Sequence, residues 1–148
     1  NRAAVGGHNG LININISKNS YSSSILPMLK THLDAAINSK YIGIEKTPII
    51  TLDSVVDAYL DKDSNCFLKI DTQGYESQVL DGGFKTLEKA KGVLCELSLV
   101  RLYEGQELWK DIIARLEKKG FQLWSIQKGF TDIKNGRTLQ INGIFLKI

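Results

Sequence analysis

Residues 67–80 read FLKIDTQGYESQVL, an apolar run that ends in a carboxylate and leads through a glycine into a helical pattern. A second short apolar run, VLCEL, occupies residues 93–97, and helical spacing at 76–80 and 84–90 lies between the two runs. Buried parallel strands joined by a helical crossover have this pattern. We therefore predict that 67–71 and 93–97 are adjacent central strands of one parallel sheet.

The flanking segments extend this α/β pattern in both directions. Upstream we predict a strand at 11–16 after a hairpin signal at Asn9-Gly10, and a helix at 24–38. Next come an extended segment at 41–50 whose Pro48 suggests a sheet edge, and a helix at 54–60 that Thr51 or Asp53 could cap. Downstream we predict a helix at 107–119 and a hairpin of strands at 121–126 and 139–148. Together these elements predict a single partial domain over residues 1–148, half of a doubly wound α/β fold with a terminal antiparallel hairpin.

Composition limits the classes of function. A net charge of +3, from 19 basic and 16 acidic residues without a basic stripe, is not typical of a nucleic-acid surface. No apolar run approaches the roughly 20 residues that a membrane span needs. The two cysteines, Cys66 and Cys95, lack metal or disulfide spacing, so we predict free thiols and a cytoplasmic, reducing compartment.

The candidate site lies where the first apolar run ends. Ligands of open α/β sheets bind beyond the carboxyl ends of the strands, which is where Asp71 falls. Gly74 permits a tight turn, and Glu76 follows in the first turn of the next helix, so Asp71, Gln73 and Glu76 are predicted to cluster. In the alternative, Asp71 caps that helix and Glu76 complements its dipole. Lys69, inside a strand predicted to be buried, needs a partner, and Asp71 lies on the same face.

Two loops could face a substrate, or could be solvated loops with no such role. One is the serine-rich segment at 20–24, which includes Ser23, and the other is the segment at 101–104, which includes Tyr103 and Glu104. The histidines, His8 and His32, have no metal spacing, and we predict both at the surface. The tryptophans, Trp109 and Trp124, are predicted in the core.

Residues 69–80 resemble the signature of the FkbM-family methyltransferases, Lys-Ile-Asp-x-(Glu/Gln)-Gly-x-Glu followed by Val-Leu. The similarity extends to the segments 16–26, 51–53, 96–98, 102–106, 120–121 and 139–146. It implies a Rossmann-like class I methyltransferase sheet, mostly parallel, and the use of S-adenosylmethionine to methylate a hydroxyl of a small molecule or sugar. For this reaction we predict that Asp71 accepts or polarises the substrate proton, and that Gln73 and Glu76 orient it. The acceptor would be bound by Lys69, Ser23, Tyr103 and Glu104.

The sequence departs from the family pattern in three places. Gln73 stands where members often have Glu, and Asn142 where they often have Asp. The glycine-rich Asp-x-Gly-Ala-Asn-x-Gly-like turn and the acidic ribose contact, which hold the cofactor, are not found in the chain. We therefore expect the domain to be truncated at its N-terminus, and we name no cofactor-binding residue in this chain. We also expect the chain alone to be inactive. The strand at 67–71 would then have a bare edge, which could permit self-association.

Two other functions stay open. Asp71, Glu76 and Glu96 could offer oxygen ligands to Mg²⁺ or Ca²⁺ in a metal-dependent α/β enzyme. Alternatively, the domain is non-catalytic and only binds a partner or glycan. In the favoured interpretation, the enzyme needs no metal and its partner is a small-molecule or glycan acceptor. It binds neither nucleic acid nor a membrane.

Overall fold

The computed structural model describes residues 2–61 and 63–148, which form two β-sheets with short helices beside them. The first sheet has the order β1-β3-β2, with β1 Ala4–Val5, β2 Gly10–Ser17 and β3 Tyr41–Ile50. The second has the order β4-β5-β7-β6, with β4 Cys66–Ile70, β5 Ala90–Ser98, β6 Phe121–Lys128 and β7 Gln140–Lys147. The helices are α1 Lys30–Ala35, α2 Glu76–Asp81, α3 Phe84–Lys89 and α4 Trp109–Glu117.

The pairing of β4 with β5 carries the functional site. The two strands are parallel and adjacent, with Ile70 opposite Cys95, and α2 and α3 connect them, as the sequence predicts. β4 is an edge strand, however, and the prediction that it is central and buried on both faces is wrong. Because it has one neighbour and one uncovered face, Phe67 is 53% exposed and Lys69 also lies in solvent.

The chain is α/β, but a mostly parallel sheet is not found in the described residues. Two strand pairs, β1–β3 and β4–β5, are parallel, whereas β2–β3, β5–β7 and β6–β7 are antiparallel. Parallel neighbours need a long crossover, usually helical, and few connections in this chain provide one. The antiparallel hairpin of β6 and β7 is confirmed, and β7 inserts between β5 and β6.

The first sheet corrects two predictions. Asn9-Gly10 does not form a hairpin turn, because β1 and β2 lie on opposite sides of β3; the Asn9 side chain instead accepts a hydrogen bond from the Thr51 backbone N–H at 2.8 Å. α1 is much shorter than 24–38, because β-bridges from Ser24 to Asn15 and from Met28 to Tyr103 hold the preceding residues extended.

Thr51 and Asp53, which follow β3, bind backbone N–H groups of two different elements. Thr51 accepts a hydrogen bond from the Ser54 N–H, but the residues that follow form two 3-10 turns, Leu52–Ser54 and Val56–Ala58, in place of the predicted α-helix. The Asp53 carboxylate instead accepts hydrogen bonds from the backbone N–H groups of Lys85 and Thr86, at the start of α3. The predicted edge at Pro48 is confirmed in part, since β1 pairs only with Ile49 and Ile50 of β3.

The core lies between the second sheet and helices α2 to α4. Its buried members are Ile70, Val79, Leu80, Leu87, Ala90, Val93, Cys95, Leu97, Ile112, Leu116, Phe121 and Phe145. Trp109 packs against this core as predicted, whereas Trp124 is 64% exposed on β6, so its prediction is wrong. Cys66 and Cys95 are free thiols, as predicted. None of the helices in the described part of the chain is long and apolar enough to cross a bilayer.

Candidate functional site

The side-chain amide of Gln73 joins groups from three segments at the carboxyl end of the β4–β5 pair. Its Nε2 donates hydrogen bonds to Asp71 Oδ1 at 2.9 Å and to Glu96 Oε2 at 3.2 Å. Its Oε1 accepts a hydrogen bond from the Tyr103 hydroxyl at 2.8 Å. The amide therefore has a partner for each polar atom, and it fixes two carboxyl groups relative to each other. We call Asp71, Gln73, Glu96 and Tyr103 the Gln73 cluster.

The backbone beneath this cluster has an unusual conformation. Gln73 has a φ of 52°, in the left-handed region that non-glycine residues rarely adopt, and Gly74 follows with a φ of 95°. The Ser24 hydroxyl donates to the Gln73 carbonyl oxygen at 2.7 Å, and the Tyr103 ring packs against Gly74. Such a conformation costs about 1–3 kcal/mol and persists only where surrounding contacts enforce it, commonly at functional sites.

Glu76 stabilises the turn. It is buried, and its Oε1 accepts hydrogen bonds from the backbone N–H groups of Thr72 at 3.0 Å and Gly74 at 3.1 Å. Burial raises the pKa of the Glu76 carboxyl. Glu76 belongs to the predicted group of residues, but its bonded oxygen points to the turn, and it lines neither of the two clefts described below.

Asp71 is not a helix cap. Tyr75 precedes α2, and none of the side chains in the described residues caps that end of the helix. Asp71 is bonded instead to Gln73 and, through Oδ2 at 3.1 Å, to the Lys69 ammonium. The predicted partnership of Lys69 is thus confirmed, although the Lys69 side chain is 65% exposed because β4 is an edge strand. Asp71 itself remains accessible, with 34% of its side chain exposed.

Glu96 has the most perturbed carboxyl of the cluster. Burial, then the nearby carboxylates of Asp71 and Glu76, raise its pKa to about 8, against the opposing effect of a hydrogen bond from Gln140. That bond joins Gln140 Nε2 to Glu96 Oε2 at 2.7 Å. Glu96 is therefore mostly a neutral carboxylic acid at pH 7, and strongly shifted groups of this kind are typical of functional sites.

Two clefts share Gln73 and Tyr21 in their walls. The first, of about 190 Å³, is lined by Ala4, Val5, Ile14, Tyr21, Ser23, Ser24, Ile25, Asp71, Thr72 and Gln73. The second, of about 210 Å³, is lined by Asn19, Tyr21, Ser22, His32, Ala36, Ser39, Gln73, Glu96, Phe130 and Gln140. We call them the Asp71 cleft and the His32 cleft. A larger hollow, of about 410 Å³, lies near the start of β5 among charged side chains such as Asp57 and Lys89, away from the Gln73 cluster.

The structure brings some of the predicted acceptor-binding residues together and leaves others out. Ser23 lies in the wall of the Asp71 cleft, and Tyr103 is bonded to Gln73. Lys69 contacts the site through its ion pair with Asp71. Glu104 is exposed and lines neither cleft, and its backbone N–H donates to the Pro27 carbonyl oxygen at 2.9 Å.

His32 is buried, which corrects its predicted surface position. It is 3% exposed, and its ring centroid lies 5.2 Å from those of both Tyr103 and Phe130. Burial lowers the pKa of His32 to about 4, so the ring is neutral at pH 7. Its Nδ1 has no hydrogen-bond partner in residues 2–61 and 63–148. An unsatisfied buried polar atom costs about 1–3 kcal/mol, so this one requires an explanation.

Sequence reasoning missed Gln140 as part of the site, included Ser24 only as a member of the serine-rich loop at 20–24, and placed Glu96 only in the metal alternative. Gln140 is 44 residues from Glu96 in the chain, and the two meet only because β7 pairs with β5. Ser24 meets Gln73 across 49 residues. No local pattern signals such contacts, since they depend on the tertiary arrangement.

The described residues do not support the metal alternative. Among residues 2–61 and 63–148, no three His, Cys, Asp or Glu side chains are grouped so that they could hold a metal ion. Nor does either cleft at the Gln73 cluster fit a whole S-adenosylmethionine, because each is smaller than the roughly 300 Å³ at which pockets for larger ligands begin. The carboxyl and amide groups of the cluster can instead hydrogen-bond a small polar ligand.

Comparison with known proteins identifies a family. A family model described as the methyltransferase FkbM domain matches residues 1–123 of the 148-residue chain. The matched range contains β1 to β5, all four helices and every member of the Gln73 cluster. No curated protein and no solved structure matches the chain.

Proposed function

Because the chain belongs to the FkbM methyltransferase family, we propose that its enzyme transfers the methyl group of S-adenosylmethionine to a hydroxyl oxygen of a small molecule or sugar. The observation that carries this proposal is the Gln73 cluster, which places hydrogen-bonded carboxyl groups at the carboxyl ends of β4 and β5. S-adenosylmethionine supplies an electrophilic methyl group when it is bound, and we assign none of the described residues to it.

Asp71 is the group best placed to take the proton of the acceptor hydroxyl. It lines a cleft, its side chain is accessible, and Gln73 and Lys69 hold its two oxygens. General-base catalysis of this kind contributes about 10²–10⁴-fold to a rate. The Lys69 ammonium holds the Asp71 carboxylate in place through an ion pair.

The other residues position the acceptor or the base. Gln73 orients the Asp71 carboxylate, and the Tyr103 hydroxyl orients Gln73. Glu76 acts through the backbone, because it holds the turn that presents Gln73. Ser23 offers a hydroxyl in the wall of the Asp71 cleft. The position of Glu104 outside both clefts gives no support for acceptor binding at that residue.

The test is a methyl-transfer assay with S-adenosylmethionine labelled in its methyl group, using a protein that carries this chain together with a glycine-rich cofactor turn. Neutral alcohols and monosaccharide glycosides serve as acceptors, and matched amines and carboxylic acids serve as competing classes. Labelled methyl ethers, which survive mild alkali, are the expected products. Transfer only to the amines, or only as alkali-labile esters, would contradict the proposal.

A further inference from the structure

Three buried polar residues meet beside the Gln73 cluster, and the proposed function uses none of them. Glu96 and Ser98 lie on one face of β5 because side chains alternate along a strand, and Gln140 of β7 lies directly opposite Ser98. Gln106 reaches the same point from the loop that follows β5. Ser98, Gln106 and Gln140 are each at most 4% exposed. Polar side chains that are buried so deeply need hydrogen-bond partners, so their bonding pattern is informative.

The backbone fixes the orientation of the Gln106 amide. Its Oε1 accepts a hydrogen bond from the Leu102 N–H at 3.0 Å, and a backbone N–H can only donate. The Nε2 of the same amide therefore points the other way, and it donates to Ser98 Oγ at 2.6 Å. Gln140 Nε2 donates to the same hydroxyl oxygen at 3.2 Å and to Glu96 Oε2 at 2.7 Å. Ser98 Oγ is thus the acceptor that the two glutamine amides share.

These bonds close into a ring that includes the Gln73 amide. On one side, Glu96 Oε2 accepts a bond from Gln73 Nε2 at 3.2 Å in addition to the bond from Gln140. On the other side, Gln73 Oε1 accepts a bond from the Tyr103 hydroxyl, and Tyr103 follows Leu102 in the chain. We call this set of hydrogen-bonded side chains the Gln106 ring; its members are Gln73, Glu96, Ser98, Tyr103, Gln106 and Gln140. The ring therefore holds the Gln73 amide at both of its polar ends.

The Gln73 amide connects this buried ring to the accessible carboxylate. Its Nε2 donates to Asp71 Oδ1 at 2.9 Å, and Asp71 lines the Asp71 cleft. Ser98 and Gln106 line neither cleft, so they can affect a ligand there only through the groups that they hold. A fully satisfied network of buried polar groups makes its members rigid, and double-mutant cycles measure how strongly the members are coupled.

We propose that Ser98 and Gln106 are positioning residues of the enzyme. Through the Gln106 ring they fix the orientation of the Gln73 amide, and that amide holds the Asp71 carboxylate in the position from which it accepts a proton. The effect on catalysis rests on the proposed role of Asp71, whereas the fixing of the Gln73 amide does not. Proton transfer needs the base within a narrow range of positions, and a displacement of about 1 Å can cost about 100-fold in rate.

The first test measures the Gln73 side chain directly and needs no activity. In the 148-residue chain, the heteronuclear Overhauser effect (NOE) of the Gln73 side-chain amide nitrogen reports its rigidity, and the exposed Gln127 amide is a mobile reference. Ser98→Ala removes the oxygen that two glutamine amides share, so the NOE of Gln73 should fall toward that of Gln127. Ser77 is also buried but bonds to Gln78 outside the ring, so Ser77→Ala is the matched control and should leave the NOE of Gln73 unchanged.

The second test separates positioning from a general loss of structure. In the methyl-transfer assay, Ser98→Ala should lower kcat about tenfold by displacing the base, and it should change the acceptor KM by less than about threefold. In an Asp71→Asn background the same substitution should have no further effect, because the base on which it acts is already removed. Gln106→Met is a second variant, which keeps the length of the side chain and removes both of its hydrogen bonds, and it should behave in the same way.

Three outcomes would overturn the inference: a Gln73 amide that stays rigid in a folded Ser98→Ala or Gln106→Met variant, a parental kcat in such a variant, or an equal loss of kcat with and without Asp71. An equal loss would mean that the ring acts on a group other than Asp71. The proposed function fails separately. Full activity of Asp71→Asn would remove the proposed base and with it the catalytic part of the inference, while a lowered NOE of Gln73 in Ser98→Ala would still support the fixing of the amide.

Discussion

A hydrogen bond of 3.2 Å joins Gln73 Nε2 to Glu96 Oε2, linking the turn after β4 to the neighbouring strand β5. The same nitrogen also bonds to Asp71. A carboxylate at position 73 could not donate either bond, and it would bring a third acidic group between the two existing ones. An amide at position 73 therefore suits two neighbouring carboxyl groups, those of Asp71 and Glu96, which both need a hydrogen-bond donor.

We expect Gln73→Glu to destabilise the protein by about 1–3 kcal/mol at pH 7, because it removes the donor to the half-buried Glu96 and adds a carboxylate beside Asp71. The loss should shrink at pH 5, where protonation of the added carboxyl restores a donor. Denaturant unfolding at both pH values measures this, with the exposed Gln127→Glu as the matched control. Equal stability of Gln73→Glu and the parent protein at pH 7 would refute the role of the amide.

Asp71→Asn should preserve the fold and reduce turnover by about 10²–10⁴-fold, because it removes a general base. Its ion pair with Lys69 is largely exposed, so the expected stability change is only about 0–1 kcal/mol. Turnover and melting temperature are measured together, with Asp57→Asn as a control that breaks an exposed ion pair with Lys89 elsewhere. Full activity of Asp71→Asn would exclude this residue from the chemistry.

Gly74→Ala should cost more stability than Gly105→Ala. Both glycines have positive φ, 95° and 69°, but a Cβ at Gly74 would lie 2.8 Å from Tyr103 Cδ2, whereas a Cβ at Gly105 would meet nothing within 4 Å. The difference between the variants combines the steric contact with the less favourable φ of Gly74, and we expect it to be about 1–3 kcal/mol. It is obtained from paired denaturation curves, and equal losses would show that Tyr103 moves aside freely.

The pH dependence of stability should report the pKa of Glu96. Its pKa of about 8 in the folded state lies above the ordinary value of 4.5, so the folded protein binds a proton that the unfolded chain has released. This contribution to stability is fully present below pH 4.5 and is lost as the pH rises through about 8. Relative to the parent protein, Glu96→Gln should gain stability across that window.

Unfolding free energies at pH 5, 7 and 9 test this expectation. Glu117→Gln, on the exposed side of α4, controls for the change of net charge. If the stability difference between Glu96→Gln and the parent protein stays constant from pH 5 to pH 9, Glu96 does not retain its proton in the folded state.

The 148-residue chain should bind S-adenosylhomocysteine more weakly than about 1 μM, which corresponds to about −8 kcal/mol. The 148 residues contain no glycine-rich turn of the family's type, and each cleft at the Gln73 cluster is too small for the whole molecule. Isothermal titration calorimetry measures the affinity. A dissociation constant at or below 1 μM would contradict this prediction. It would show that these 148 residues contain a cofactor site that we have not identified.

Local patterns predicted the elements of this chain better than their arrangement. The apolar runs around Ile70 and Cys95 correctly indicated parallel neighbours, and the Asp71-to-Glu76 spacing correctly indicated a cluster, because both depend on short-range periodicity and turn chemistry. The exposed Phe67 and Lys69 could not be inferred, since burial of a strand depends on which elements cover it.

Errors arose where distant residues overrode a local preference. The helical spacing after Ser24 was interrupted by bridges from Ser24 to Asn15 and from Met28 to Tyr103, pairings that helix propensity does not encode. His32 was placed at the surface because nothing beside it in the sequence indicates that Tyr103 and Phe130 enclose it.

The folded sheet extends beyond the part of the sequence that matches the family, because it includes β7. The family match ends at residue 123, yet β7 lies in the interior of the sheet between β5 and β6 and contributes Gln140 to Glu96. A protein shortened to the matched range would keep every residue of the signature and expose the inner edge of β5, an aggregation-prone surface. Expression boundaries for this chain should therefore be drawn after Lys147, and activity lost on shortening would reflect a broken sheet and not a missing catalytic group.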